Sequence, residues 1–303
     1  METTIYALGV FDGVHRGHQA LLAACRALAS ENGARAGVVT FCNHPDALVF
    51  GAAPGLIHTP QERERLLTQR YGMENVVTLP FDRALQDTPW VTFLENLMQN
   101  QGAAGFVCGE DFRFGRRGEG DAKALEGFCL TRKLPAAVVP EQLVDGIRVS
   151  STYIRSLIEA GDMGRAEVFL GHPYRLTGQV RHGKQLGRTL GFPTANLPFP
   201  QGLAKPRFGV YACIARLPEG NFPAVTNLGL RPTVDGASVT VESWLLNFRG
   251  DLYGRELTLD FYRFLRPERK FESLEAMREE IFRNAEETLD LLTREHSSEN
   301  PHP

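Results

Sequence analysis

Two histidines three positions apart, His15 and His18, sit in the stretch VFDGVHRGH at residues 10–18, between an apolar run and a segment of helical periodicity. Imidazoles held between glycines can ligate a metal, hydrogen-bond an anion or simply furnish a polar turn. A metal needs at least a third ligand at sensible spacing. Asp12 is adjacent, but no cluster of His and Cys supports it, so no zinc is expected. The position between a strand and a helix favours phosphate. Ligands of open parallel sheets bind beyond the carboxyl ends of strands, where helix N-termini present free N–H groups. Gly13 and Gly17 permit tight turning and close backbone approach. Histidines placed there can donate hydrogen bonds as charge accumulates in a transition state.

Other residue groups in the first half have the same double reading. In VSSTYIRSLIEAGDMGRAEVFLG (149–171), Ser150, Ser151 and Thr152 form an N-cap run, and Arg155 falls one turn in, able to clamp a phosphate bidentately. SST alone is an ordinary helix cap. In CGEDFRFGRRGEGD (108–121), Asp111 is the functional candidate, with Gly109 and Gly115 shaping a loop. Phe112 and Phe114 can wall a flat ring or pack in a core. His44 in FCNHPD either lies near a site or, with Pro45, marks a turn.

The elements that must position these residues follow from periodicity. IYALGV (5–10), AGVVTF (36–41), ENVVTLPF, AAGFVCG and LPAAVVP read as strands. HQALLAACRALASEN (18–32), PQERERLLTQRYG, WVTFLENLMQ and AKALEGFCLTRK read as the helices between them, which indicates β-α-β units and a parallel sheet. Helices at roughly 151–160 and 163–170 close this domain. Beyond HPYRLTG the pattern becomes short strands divided by Gly, Pro and Asn turns, followed by one helix at 272–295. The expectation is an α/β domain with a Rossmann-like parallel sheet, then a small antiparallel β-barrel with a C-terminal helix. The boundary is expected near 171–175, giving domains 1–172 and 173–296 and a disordered tail at 297–303.

At 303 residues the length suggests about two domains. A net charge of -3 argues against a bulk grip on nucleic acid. The five cysteines are widely spaced without a C-x-x-C pair, which fits a reducing cytoplasm. The N-terminus lacks signal-peptide character, and no apolar run nears the roughly 18 residues that a membrane span requires. A cytoplasmic enzyme is expected, with no membrane and no nucleic acid as partner; oligomeric state stays open.

The His-x-Gly-His arrangement resembles the nucleotidylyltransferase superfamily signature, which implies adenylyl or cytidylyl transfer without naming the acceptor. CGEDFRFGRRGEGD and VSSTYIRSLIEAGDMGRAEVFLG narrow this resemblance to the FMN adenylyltransferase domain of prokaryotic bifunctional riboflavin kinase/FAD synthetases, over roughly residues 5–171. The resemblance implies that Ser151, Thr152 and Arg155 contact ATP phosphates, with Gly13 and Gly17 beside them and His15 and His18 catalytic.

GQVRHGKQLGRTLGFPTANLPFP (178–200) resembles the riboflavin kinase signature, and NLGLRPTV (227–234), VESWLLNFRGDLYGREL (241–257) and FLRPERKFESLEAMREEI (264–281) continue it. Gly178, Gly183, Gly187 and Gly191 can fold N–H groups around phosphates, although no Walker A loop is present. Thr194 and Asn196 offer oxygens to Mg²⁺. Glu242 lies on an apolar strand, where a carboxylate costs desolvation unless used or paired. The resemblance makes it the base that takes the ribityl hydroxyl proton. Asn227, Arg231 and Arg266 are candidates for substrate or phosphate contact. Ser273 caps the last helix, with Glu272 and Glu275 at its positive end. Departures from the family pattern fall at Cys42–Asn43, Lys184, Ser243–Trp244, Asn247 and the RNAEETLD of the last helix. The implied activity is ATP-dependent phosphorylation of riboflavin to FMN, then adenylylation of FMN to FAD. The alternatives are one surviving activity, or a flavin or nucleotide sensor without turnover.

Overall fold

The computed structural model describes residues 3–183, 187, 191–233 and 236–298. Contacts divide the chain into two compact units, Met1–Ile154 with Phe169–Gly171, and Arg155–Val168 with His172–Pro303. The division falls within two helices, Ser151–Ala160 (α4) and Met163–Leu170 (α5), and again after Gly171.

The first unit is a five-stranded parallel sheet. Its strands are β1 (Thr4–Leu8), β2 (Arg35–Phe41), β3 (Asn75–Leu79), β4 (Ala103–Gly109) and β5 (Ala136–Val139), in the order β3-β2-β1-β4-β5. All of TIYAL is buried, and its alternation splits the side chains between two cores. Ile5 and Ala7 join Leu22, Cys25 and Ala29 of helix α1 (Arg16–Glu31) on one face. Tyr6 and Leu8 meet helices α2 (Trp90–Gln101) and α3 (Ala122–Arg132) on the other. Leu22, 1% exposed, is one such anchor; a buried leucine contributes about 1.5–3 kcal/mol. Because β2 and β4 flank β1 on opposite sides, the turn after β1 lies at the switch point of the sheet, where such folds bind ligands.

The second unit is a six-stranded antiparallel sheet. Its strands are β6 (Tyr174–Gln179), β7 (Ala195–Pro198), β8 (Gly209–Leu217), β9 (Gly220–Thr233), β10 (Gly236–Leu245) and β11 (Glu256–Arg266). They run in the order β6-β11-β8-β9-β10-β7. The two ends approach each other through an isolated Arg181–Asn196 bridge, and Leu197 lies against Gly178, which makes a nearly closed barrel. Helix α6 (Leu274–Ser298) packs on β8 and β9, sharing a core of Val210, Val225, Leu246 and Ala285.

The architecture follows the sequence reading, with three differences. Strand β7 lies inside the glycine- and proline-rich stretch read as a phosphate loop. A short hairpin, Leu143–Val144 with Ile147–Arg148, follows β5. Helix α6 runs through Ser298, two residues into the stretch expected as a tail, and residues 299–303 lie outside the described residues. The Ser273 cap is present, its Oγ accepting from Ala276 N at 3.1 Å.

Candidate active sites

The turn after β1 is strained and braced. Phe11 (φ 55°) and Val14 (φ 41°) are left-handed without being glycine, on either side of Gly13 (φ 82°). Left-handed backbone costs an L-residue about 1–2 kcal/mol, so it persists only where neighbours impose it. Asp12, 2% exposed, provides one brace by accepting from Ile57 N at 2.8 Å. A Cβ on Gly13 would lie 2.8 Å from Ile57 Cδ1.

His15 caps α1: its Nδ1 accepts from the backbone N–H of His18 at 3.3 Å. With Nδ1 accepting, the neutral ring carries its proton on Nε2. A Cβ on Gly17 would stand 3.2 Å from the His15 ring, so this glycine makes room for a catalytic candidate. The His18 ring stacks on His15, 3.6 Å between centroids and 14° from parallel, and the Phe11 ring is tilted against it at 5.0 Å. His18 Nδ1 is enclosed without a hydrogen-bond partner among the described residues. Burial first, then the charges of His15 and Arg63, hold the His18 imidazolium well below its ordinary pKa of 6.5. The ring is therefore neutral at pH 7.

The SST run does two jobs. Ser150 Oγ caps α4 by accepting from Tyr153 N at 3.3 Å, while Ser151 Oγ donates to Asp12 O at 2.9 Å and ties α4 to the histidine turn. Thr152 follows on α4, and Arg155, one turn on, is buried.

The GEDFRFG loop leaves the end of β4, the neighbour of β1. Asp111 is exposed and paired with Arg148 of the short hairpin, which also holds Glu141 at 2.9 Å. Phe114 is 7% exposed and packs with Trp90 and Phe93, so it is core. Phe112 stacks on it, half-buried, and can still wall a ring. His44 Nδ1 accepts from Asp46 N at 3.2 Å and starts a short helix. Cys25, Cys108 and Cys129 are free and buried, their thiols pushed by burial to about 11, about 12 and about 11. None is a thiolate nucleophile at neutral pH.

Sequence reasoning missed Arg63. It sits in a short helix, Pro60–Arg65, whose sequence PQERER reads as a solvated face, yet it is 4% exposed. Its guanidinium donates to Val10 O at 3.2 Å and to Phe41 O.

In the second unit, Glu242 stands in a row of three polar residues. It faces Asn227 across β9 and Asn196 across β7. It lines a cavity of about 290 Å³ together with Gly187, Thr194, Asn227 and Arg266. Four of the predicted residues thus meet around the predicted base. Phe192, Trp244 and Phe271 supply aromatic walls, and Glu268, a second carboxylate absent from the sequence prediction, accepts from Asn227 Nδ2 at 3.3 Å. Arg266 is held by Asn284 at 2.9 Å and Glu280 at 3.4 Å; burial lowers its pKa, and Glu280 offsets that.

Asn196 opens instead onto a second cavity of about 630 Å³, with Arg181, His182 and Lys205 on its wall. The glycines have local reasons. A Cβ on Gly183 would fall 2.5 Å from Asn196 Nδ2, and one on Gly187 would fall 2.5 Å from Phe192 O. Gly191 is left-handed at φ 90°. Among the departures, Ser243 is buried and bonded to Thr226 at 2.9 Å, and Asn247 occupies a left-handed position (φ 61°) that Asn tolerates. Lys184 and the Arg231 side chain lie outside what is described.

Residues 1–153 match the family described as FAD synthetase, and residues 170–292 match the one described as riboflavin kinase. A bifunctional riboflavin kinase/FMN adenylyltransferase of Pseudomonas fluorescens is 36% identical over 279 residues, covering 91% of this chain and 89% of the relative. The chain belongs to the bifunctional riboflavin kinase/FMN adenylyltransferase family. The Escherichia coli K12 member is 34% identical over 286 residues, 93% of this chain and 91% of its own. A solved structure described as a macrolide-efflux protein from Streptococcus pneumoniae superposes with a TM-score of 0.86 at 28% identity, over 95% of this chain and 94% of that one. Membership fixes the chemistry for which the two sites must account: phosphorylation of riboflavin by ATP, then adenylylation of FMN to FAD.

Proposed function

We propose that each reaction runs at its own site, kinase chemistry around Glu242 and adenylyl transfer around His15 and His18. The observation that carries this division is the row Asn227–Glu242–Asn196 within the barrel sheet, which supports Glu242 as a base separate from the histidine turn.

In the kinase step, Glu242 takes the proton of the ribityl 5′-hydroxyl as its oxygen attacks the γ-phosphorus of ATP; FMN forms and ADP leaves. The aromatic cavity suits the flavin ring. The larger cavity, with Arg181, His182 and Lys205, suits a polyphosphate. Thr194 and Asn196, neighbours in PTAN that line different cavities, offer a hydroxyl and an amide oxygen, hard donors of the kind Mg²⁺ takes. When bound, Mg²⁺ supplies charge neutralisation at the phosphates. Asn196 Nδ2 donates to Thr194 O at 3.4 Å, which leaves Oδ1 as the atom that would ligate the ion.

In the second step, an FMN phosphate oxygen attacks the α-phosphorus of another ATP, the bond to the bridging oxygen breaks, and pyrophosphate leaves. No covalent nucleophile is needed. Catalysis is positioning and charge stabilisation by His15, His18 and Arg155, with Ser151, Thr152 and the N–H groups near Gly13 and Gly17 on the phosphates. An enclosed His18 Nδ1 without a partner supports this reading, because such a group costs about 1–3 kcal/mol until something bonds it. Asp111, Phe112, Asn227 and Arg266 remain the flavin-contact candidates. No helix among the described residues is long and apolar enough to cross a membrane, and the free cysteines support a cytoplasmic setting.

A chromatographic time course with riboflavin and Mg-ATP tests the assignment. FMN rising before FAD is expected; riboflavin left unchanged would overturn it.

A further inference from the structure

We propose that Arg63 is a positioning residue for adenylyl transfer, clamping the chain ends of β1 and β2 so that the turn between them and α1 holds His15 and His18 in place. The proposal rests on the reading that these histidines serve that reaction.

Burying a guanidinium is costly, and a helix that read QERER for solubility alone would keep it in water. Arg63 is nevertheless 4% exposed, and its two hydrogen bonds end on main-chain carbonyls, Val10 O and Phe41 O. Phe41 closes β2; Val10 lies two residues beyond β1 and directly before left-handed Phe11. Val10 O also accepts from Thr40 Oγ1 at 2.8 Å, so both of its lone pairs are engaged. The same segment supplies Ile57 N to Asp12, and Thr59 fixes that segment by capping its helix, accepting from Glu62 N at 3.2 Å. One continuous stretch, 57–63, thus braces the strained turn on both sides of Phe11. Lysine reproduces this only in part, since its compact ammonium lacks the planar fork whose two nitrogens reach the two carbonyls here.

Arg63 also acts on His18 through its charge, opposing protonation of the imidazole together with His15. His15 and Arg63 are the charged or titratable groups acting on His18, and Asp12 is the counter-charge to Arg63. Burial lowers the Arg63 pKa, and Asp12 offsets it.

Full-length Arg63→Lys and Arg63→Met are compared with wild type and His18→Ala. FAD formation from FMN and Mg-ATP is measured beside FMN formation from riboflavin on the same preparations. Displacement of catalytic groups by about an ångström costs on the order of 10²-fold. Arg63→Met is expected to lose about that factor in kcat for FAD formation, with the KM for ATP and FMN little changed, and Arg63→Lys to fall between. FMN formation stays at the wild-type rate in both. A kcat loss at little-changed KM, partly rescued by lysine and absent from FMN formation, is a pattern that general destabilisation would not produce. If His18→Ala costs rate and both Arg63 variants run near wild type, the proposal fails. A loss that merely tracks unfolding of the first unit in both variants also overturns it. If His18→Ala itself leaves FAD formation intact, the reading of the histidines fails instead.

Discussion

The rings of His15, the N-cap of α1, and His18, in its first turn, lie face to face, 3.6 Å apart and 14° from parallel. Two imidazolium ions could not share that geometry without repulsion. The depressed His18 pKa removes the conflict and leaves a neutral ring, the form in which the proposed adenylyl transfer uses it as a hydrogen-bonding group.

Removing either ring should therefore act on one reaction alone. Loss of one preorganised donor typically costs about 10²–10³ in rate. His15→Ala and His18→Ala are expected to slow FAD formation by that factor while FMN formation continues, as followed by separate assays of FMN and of riboflavin. Equal loss of both activities in a folded variant would contradict separate sites.

The buried imidazole also sets a pH dependence of stability. The unfolded chain's histidine takes a proton below about pH 6.5, whereas folded His18 stays neutral to lower pH. In that window the unfolded state binds more protons, so stability of the first unit falls as pH drops below about 6.5 and is insensitive to this group above it. Urea midpoints at about pH 5.5 and 7.5 should differ less in His18→Gln than in wild type.

Gly17→Ala separates packing of the His15 ring from helix propensity. Alanine is better than glycine inside a helix by about 0.5–1 kcal/mol. The added Cβ would nonetheless crowd the His15 ring from 3.2 Å. Unchanged or slightly raised thermal stability with at least roughly 10-fold slower FAD formation is expected, a ring displaced by a fraction of an ångström being enough. An unimpaired rate would mean that the ring has room to spare.

In the barrel, Asp260 is fully buried between Arg175, 2.6 Å away, and Arg216. Taking one partner from a buried ion pair costs about 3–5 kcal/mol. Asp260→Ala should fall near the lower end, because the Arg216 side chain is 39% exposed and water screens it. Denaturant unfolding followed by Trp244 fluorescence in a Trp90→Phe background measures this, with FMN formation at low temperature retained.

Most of the architecture was legible because periodicity marks long elements well: AAGFVCG and the helices at 151–160 and 163–170 fall where the pattern placed them, and the first strand, read as IYALGV (5–10), runs Thr4–Leu8. Strand β7 was hidden because four residues set among glycines and prolines carry no readable period. Thr194, Asn227, Glu242 and Arg266 were named from motifs, and the fold gathers them around one cavity. Arg63 and Glu268 escaped because nothing in a charged stretch tells which member turns inward. Phe112 and Phe114 looked alike in GEDFRFG, and only packing against Trp90 and Phe93 makes Phe114 core.

The central claim is that two reactions run at two sites in one chain, and Glu242→Gln tests it most directly. The amide keeps the shape of the side chain and loses the base. Given Mg-ATP, the variant should form FMN from riboflavin at least about 10²-fold more slowly, the scale of general-base catalysis. Supplied with FMN instead, it should form FAD at the wild-type rate. Wild-type FMN formation, or loss of FAD formation along with it in a folded protein, would contradict the account.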